Sequence, residues 1–163
     1  MLKHLLVGAV AALAFSAPAL AQSSKDIVGT WDYVSAETVA PDGKRTPTFG
    51  PNPKGIVIFQ ADGYYALIVT RADAPKFASN NRMQGTPEEN KAIVQASISH
   101  FGKYTVNEAD KTITFQVKTS TFPNWDGIDQ KRPFTLSGDE LKYTVPVASG
   151  RGGTAEVVLK RIK

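Results

Sequence analysis

The 163-residue chain has no cysteine. That excludes disulfides, thiolate metal ligands, a cysteine nucleophile and attachment of a lipid through a thiol. Histidine is nearly as scarce: only His4 and His100 occur. With no histidine pair and no Asp-rich loop at ligand spacing, neither a metal nor a cofactor is expected. No Gly-x-Ser-x-Gly elbow is present. The glycine-rich run "SGRGG" at 149–153 joins two predicted strands and opens no helix, so it reads as a turn rather than a phosphate cradle. No stripe of Lys and Arg interleaved with aromatics appears. The net charge of +4 comes from scattered residues such as Lys44, Arg45, Lys54, Lys131 and Lys160. Nucleic acid is therefore not an expected partner.

Long apolar runs are also missing. The longest, Leu5 to Phe15, falls well short of the roughly 20 residues that span a bilayer. It follows Lys3 and His4 and leads to "ALAQ" at 19–22, with small residues at Ala19 and Ala21 before a cut. This is the pattern of a secretory signal peptide over 1–21, cleaved after Ala21. With no lipobox cysteine and no twin-Arg pair, the expected product is a periplasmic or secreted single domain, 22–163, without stable membrane insertion.

What is abundant is alternation. "IVGTWDYVSAETV", "GIVIFQ", "YYALIVTR", "YTVN", "KTITFQVKTS", "KRPFTL", "ELKYTVPV" and "TAEVVLKRIK" read as eight short strands. Turn signals ("APDGKR", "ADG", "NEADK", "SGDE") punctuate them. "TPTFGPNPKG" and "TFPNWDGIDQ" read as loops, and the latter is expected to place Trp125 at a barrel mouth. One segment differs: "TPEENKAIVQASISHFG" offers Thr86 as N-cap, Pro87 at the first helical position and Glu89 to close a capping box. The spacing of Ile93, Val94, Ile98 and Phe101 predicts one helix between the third and fourth strands, with His100 at its end and Gly102 stopping it.

The expected fold is all-β: an eight-stranded antiparallel up-and-down barrel, because closure removes exposed edges. Such a barrel holds side chains or one small ligand. Period-2 parity groups Gly29, Trp31, Tyr33 and Ser35 on one face, with Glu37 to follow. It likewise groups Ala155, Val157, Leu159 and Arg161, and Arg132, Phe134 and Leu136. A guanidinium on an inward face must find a carboxylate in the barrel, Glu37 being one candidate, or meet one on a ligand.

The tripeptide Gly29-Thr30-Trp31 is similar to the Gly-x-Trp signature of the lipocalin superfamily. Gly102-Lys103-Tyr104, the loop Pro123-Asn124-Trp125-Asp126-Gly127 and Arg132 resemble motifs of the bacterial lipocalin-like domain family. The resemblance covers nearly all of 26–163. It implies a lipocalin-like barrel in which Trp31 closes one end and Arg161, from the last strand, stacks on it. Where relatives often carry a histidine, this chain has Phe115.

The reading that follows is a barrel binding a small, mainly apolar ligand that carries a carboxylate if Arg132 meets its partner there. Candidate contacts are Arg132, Tyr33, Tyr104, Tyr143, Phe134, Phe115 and Trp125, with Tyr64 or Tyr65 as a further hydroxyl. No residue is assigned a catalytic role. The alternatives are an isomerase-, cyclase- or hydrolase-type enzyme using Arg132 and tyrosines, and an interaction or inhibitor module with a filled barrel. Residues 87–100 are expected to cover the mouth away from Trp31 and Arg161.

Overall fold

A computed structural model describes residues 24–150 and 152–163; the expected signal peptide lies outside them. Among the described residues nine strands form one antiparallel sheet: β1 (Gly29–Val39), β2 (Arg45–Pro47), β3 (Lys54–Phe59), β4 (Tyr64–Thr70), β5 (Ser97–Asn107), β6 (Thr112–Ser120), β7 (Asp129–Ser137), β8 (Glu140–Val145) and β9 (Thr154–Arg161). From β3 onward each strand pairs with the next in sequence. β9 pairs back along β1, from Trp31↔Arg161 to Val39↔Thr154, and closes an eight-stranded ring. The short β2 adds to the upper part of β1, on the side that β3 holds lower down. It falls in the stretch read from sequence as a loop.

Alternation explains most strands. β4 buries Tyr65, Leu67 and Val69 and turns Tyr64, Ala66 and Ile68 outward. β7 buries Arg132 and Phe134, and β9 buries Ala155, Val157 and Leu159. β1 departs from simple parity. Its register with β9 slips between Tyr33 and Ser35, so Ala36 and Thr38 turn inward in place of Ser35 and Glu37. Glu37 is consequently not a partner for Arg132. It faces outward and pairs with Arg45 at 3.0 Å.

The helix forms where the capping box predicts it. α1 (Pro87–Ala96) starts at Thr86, whose hydroxyl accepts from the Glu89 amide while the Glu89 carboxylate accepts from the Thr86 amide. Its expected extent was too long. The chain turns extended at Ser97, and Ile98, His100, Phe101 and Gly102 belong to β5, paired with β4 through Leu67↔His100. A ladder with β4 along all of "SISHFG", joined by one with β6 from His100 onward, satisfies more backbone groups than another helical turn at the barrel end would. Gly102 is not a helix stop. At the β5–β6 register shift a Cβ on Gly102 would lie 2.0 Å from the Gln116 carbonyl oxygen, so only glycine fits.

Candidate ligand-binding site

The two ends of the barrel are built differently. At the end where β1 starts and β9 finishes, Trp31 is fully buried, and its indole N–H donates to the Ile27 carbonyl at 2.8 Å. The Arg161 guanidinium lies over the indole, 4.1 Å from the ring centroid, and donates to the carbonyls of Val28, at 2.8 Å, and Asp26. Gly29, at φ +135°, makes this possible, since a Cβ there would sit 2.9 Å from an Arg161 nitrogen. Phe59, Ile113, Leu141 and Leu159 fill the space above.

The Tyr104 hydroxyl donates to the Gln60 carbonyl at 2.8 Å, in the turn at this same end. Tyr104 is thus not a cavity residue, contrary to expectation. Phe134 is buried in the packed core and also stays off the cavity wall.

The opposite half is open. A cavity of about 810 Å³ runs inward from the end that carries α1 and the β4–α1, β6–β7 and β8–β9 connections. Its inner part is lined by Tyr33, His100, Phe115, Arg132, Tyr143 and Val157. Phe49, Phe122, Trp125 and the Ala92–Ala96 turn of α1 stand around the mouth. Trp125, half-buried in a short 3-10 turn (Pro123–Trp125), packs edge-on to His100 at 5.6 Å and to Phe122 at 5.6 Å. α1 buries only Ala96 and leaves Val94 largely exposed, so it lies along the mouth without sealing it.

The polar groups of the cavity gather on a few strands. Arg132 is 6% exposed, and its Nη2 donates to the Gln130 side-chain oxygen. Gln130 is two residues nearer the mouth on the same face of β7, so the guanidinium leans toward the cavity. Burial lowers the Arg132 pKa. It remains charged all the same, as arginine does in proteins. Burial pushes the Tyr33 hydroxyl well above its ordinary range and that of Tyr143 up to about 12, so both stay neutral donors.

His100 was expected at a helix end, as a capping or surface residue. It is instead 7% exposed inside the barrel, with Nδ1 2.8 Å from the Tyr65 hydroxyl and its ring 6.1 Å from that of Phe115. Burial first, and the Arg132 charge second, lower its pKa to about 4. At neutral pH it is an uncharged imidazole. The signal for it was present: counted back from Tyr104 by twos, Gly102 and His100 share the inward face of one strand.

Of the expected contacts, then, Arg132, Tyr33, Tyr143, Phe115 and Trp125 come together on one cavity. His100 and the rim residue Phe49, which packs edge-on to Tyr33 at 6.1 Å, join them.

A carrier protein of Aspergillus oryzae (strain ATCC 42149 / RIB 40), named for 4'-hydroxy-3'-methoxypropiophenone, is 28% identical over 82 residues. The match spans 47% of this chain and 74% of that protein. A crystal structure of a lipocalin-like protein from Bacteroides uniformis ATCC 8492 aligns over 84% of this chain and 99% of its own, at 14% identity and a TM-score of 0.47. The sequence pattern of the lipocalin-like domain matches residues 28–162, and the chain belongs to that family.

Proposed function

We propose that the protein is a carrier that takes a small, mainly apolar ligand into the open half of its barrel, and that it acts outside the cytoplasm after loss of residues 1–21. One observation carries this reading: a cavity of about 810 Å³, within the size range of small-molecule sites, with mostly apolar walls and a few convergent polar groups. The carrier role named for the fungal relative supports it, and a small aryl ketone of that kind is of a size the cavity accommodates. Among the described residues no helix is long and apolar enough to cross a membrane.

Native mass spectrometry of protein purified without denaturation tests the reading. An added small-molecule mass is expected, or, once extracted with solvent, uptake of an apolar fluorophore. Ala36→Trp, which fills the wall from β1, should abolish uptake while the β-sheet circular dichroism persists. Failure of the wild type to bind any apolar probe, or unchanged binding in the filled variant, would remove the proposal.

An enzyme remains the second reading, because Arg132 shares the cavity wall with a neutral His100 that is itself held by the buried Tyr65 hydroxyl at 2.8 Å. Turnover of a chromogenic ester panel, lost in Arg132→Ala, would favour it.

A further inference from the structure

The inner end of the cavity holds a positive charge that no described residue neutralises. Arg132 makes no ion pair among the described residues, and Gln130, its hydrogen-bond partner, is an uncharged amide. Asp73 is the only carboxylate among the described residues lining the cavity. It is already gripped by Arg71 through two hydrogen bonds of 2.8 Å, and its side chain is 64% exposed. Tyr33 and Tyr143 supply neutral hydroxyls, and His100 is uncharged at neutral pH. A nearly buried guanidinium without a counter-charge is costly to keep.

The walls nearby combine rings with a few aliphatic side chains such as Leu67 and Val157. Phe115 lies 5.9 Å from Tyr143 and 6.1 Å from His100, and His100 meets Trp125 at 89°. Ring faces and edges set at right angles favour a flat guest.

We infer that the ligand is an aromatic acid bound as its anion, with the charged oxygens on Arg132 and the Tyr33 and Tyr143 hydroxyls and the ring among His100, Phe115 and Trp125. This rests on the carrier reading above and names the class of cargo. The guanidinium fork matches a planar oxyanion, and the two hydroxyls add neutral donors beside it. An arene carboxylate would meet the fork with two charged oxygens and an acidic phenol with one.

The experiment compares four naphthalene probes on solvent-stripped protein, read by quenching of tryptophan fluorescence and by calorimetry. The probes are naphthoate, the uncharged naphthamide and acetylnaphthalene, and an acetylnaphthol followed across its own ionisation. At least one ionised probe should bind about tenfold or more tighter than the uncharged pair, a large step on the affinity scale. Preference for naphthoate assigns a carboxylate, and preference confined to ionised acetylnaphthol assigns a phenolate.

Arg132→Met should bring the anion down to the uncharged level and leave the uncharged probes unaffected, and Arg132→Lys should restore part of the preference. If Arg132→Met does not fold, the double change Tyr33→Phe, Tyr143→Phe replaces it: anion affinity should fall several-fold with acetylnaphthalene unchanged. Equal binding of charged and uncharged probes by the wild type overturns the inference and leaves the carrier reading standing. Anion preference that survives both Arg132→Met and the double change also overturns it. Binding of none of the four overturns both.

Discussion

Arg161 enters the barrel from the end of β9, Arg132 from the middle of β7, and their surroundings have little in common. Arg161 lies flat on Trp31, donates to the carbonyls of Val28 and Asp26, and stands 3.8 Å from the Asp139 carboxylate. Its charge, planarity and donors are all engaged by the fold, and a glycine at position 29 makes room for it. Arg132 is more deeply buried yet has one amide partner. The closed end therefore uses its arginine as a structural plug, whereas the open end holds its arginine at a net cost to folding. On the proposed carrier reading, a group retained at such a cost serves ligand binding rather than packing.

The largest test of that contrast is at the closed end. Trp31→Ala should destabilise the protein by about 3–5 kcal/mol, as large-to-small aromatic changes in cores do, measured by urea denaturation. A loss below about 1 kcal/mol would mean that Trp31 is not the plug described here.

The second test concerns the open end and runs through pH. His100 titrates near 4 when folded, against an ordinary 6.5. The unfolded chain thus takes up the proton first. The stability due to the neutral imidazole is complete above pH 6.5 and is lost as pH falls toward 4. The loss should amount to about 3 kcal/mol over that window. His100→Gln should flatten this slope; an unchanged slope would assign the acid sensitivity to other groups.

The third and fourth tests form a pair. Arg161→Met removes a partly desolvated cation–π contact and the donors to two carbonyls, so a loss of about 2 kcal/mol is expected. Arg132→Met deletes an uncompensated charge, and the stability should change by less than about 1 kcal/mol or rise. Thermal unfolding of the two variants side by side gives the sign. Equal losses would erase the distinction between the arginines.

Much of this arrangement was legible in the sequence. Alternation located eight strands, and Thr86, Pro87 and Glu89 marked the helix start, because each of these signals is local. The face shared by Arg132 and Phe134 was readable because β7 runs without interruption. Parity failed in β1, where a register shift beside Tyr33 brings Ala36 and Thr38 inward and sends Glu37 to the surface. It failed in β5 for a different reason. Ile98 and Phe101 fit a helical spacing as well as a strand, and the pairing with β4 and β6 decided between them. His100 was lost to the site in that misassignment.

The sequence by itself determined the strand pattern, the capped helix and the presence of a guanidinium on an inward face, while the pairing of Trp31 with Arg161 was implied only by the lipocalin-like resemblance. The strands, the helix and the inward face follow from side-chain period and from short-range hydrogen bonding, both properties of neighbouring residues. Only the tertiary structure decided where the register slips, which tyrosines reach the cavity and which end stays open. It also decided that Arg132 has no carboxylate among the described residues within ion-pair distance. Those depend on how strands far apart in the chain meet around a closed ring, where a shift of one residue exchanges the inside for the outside.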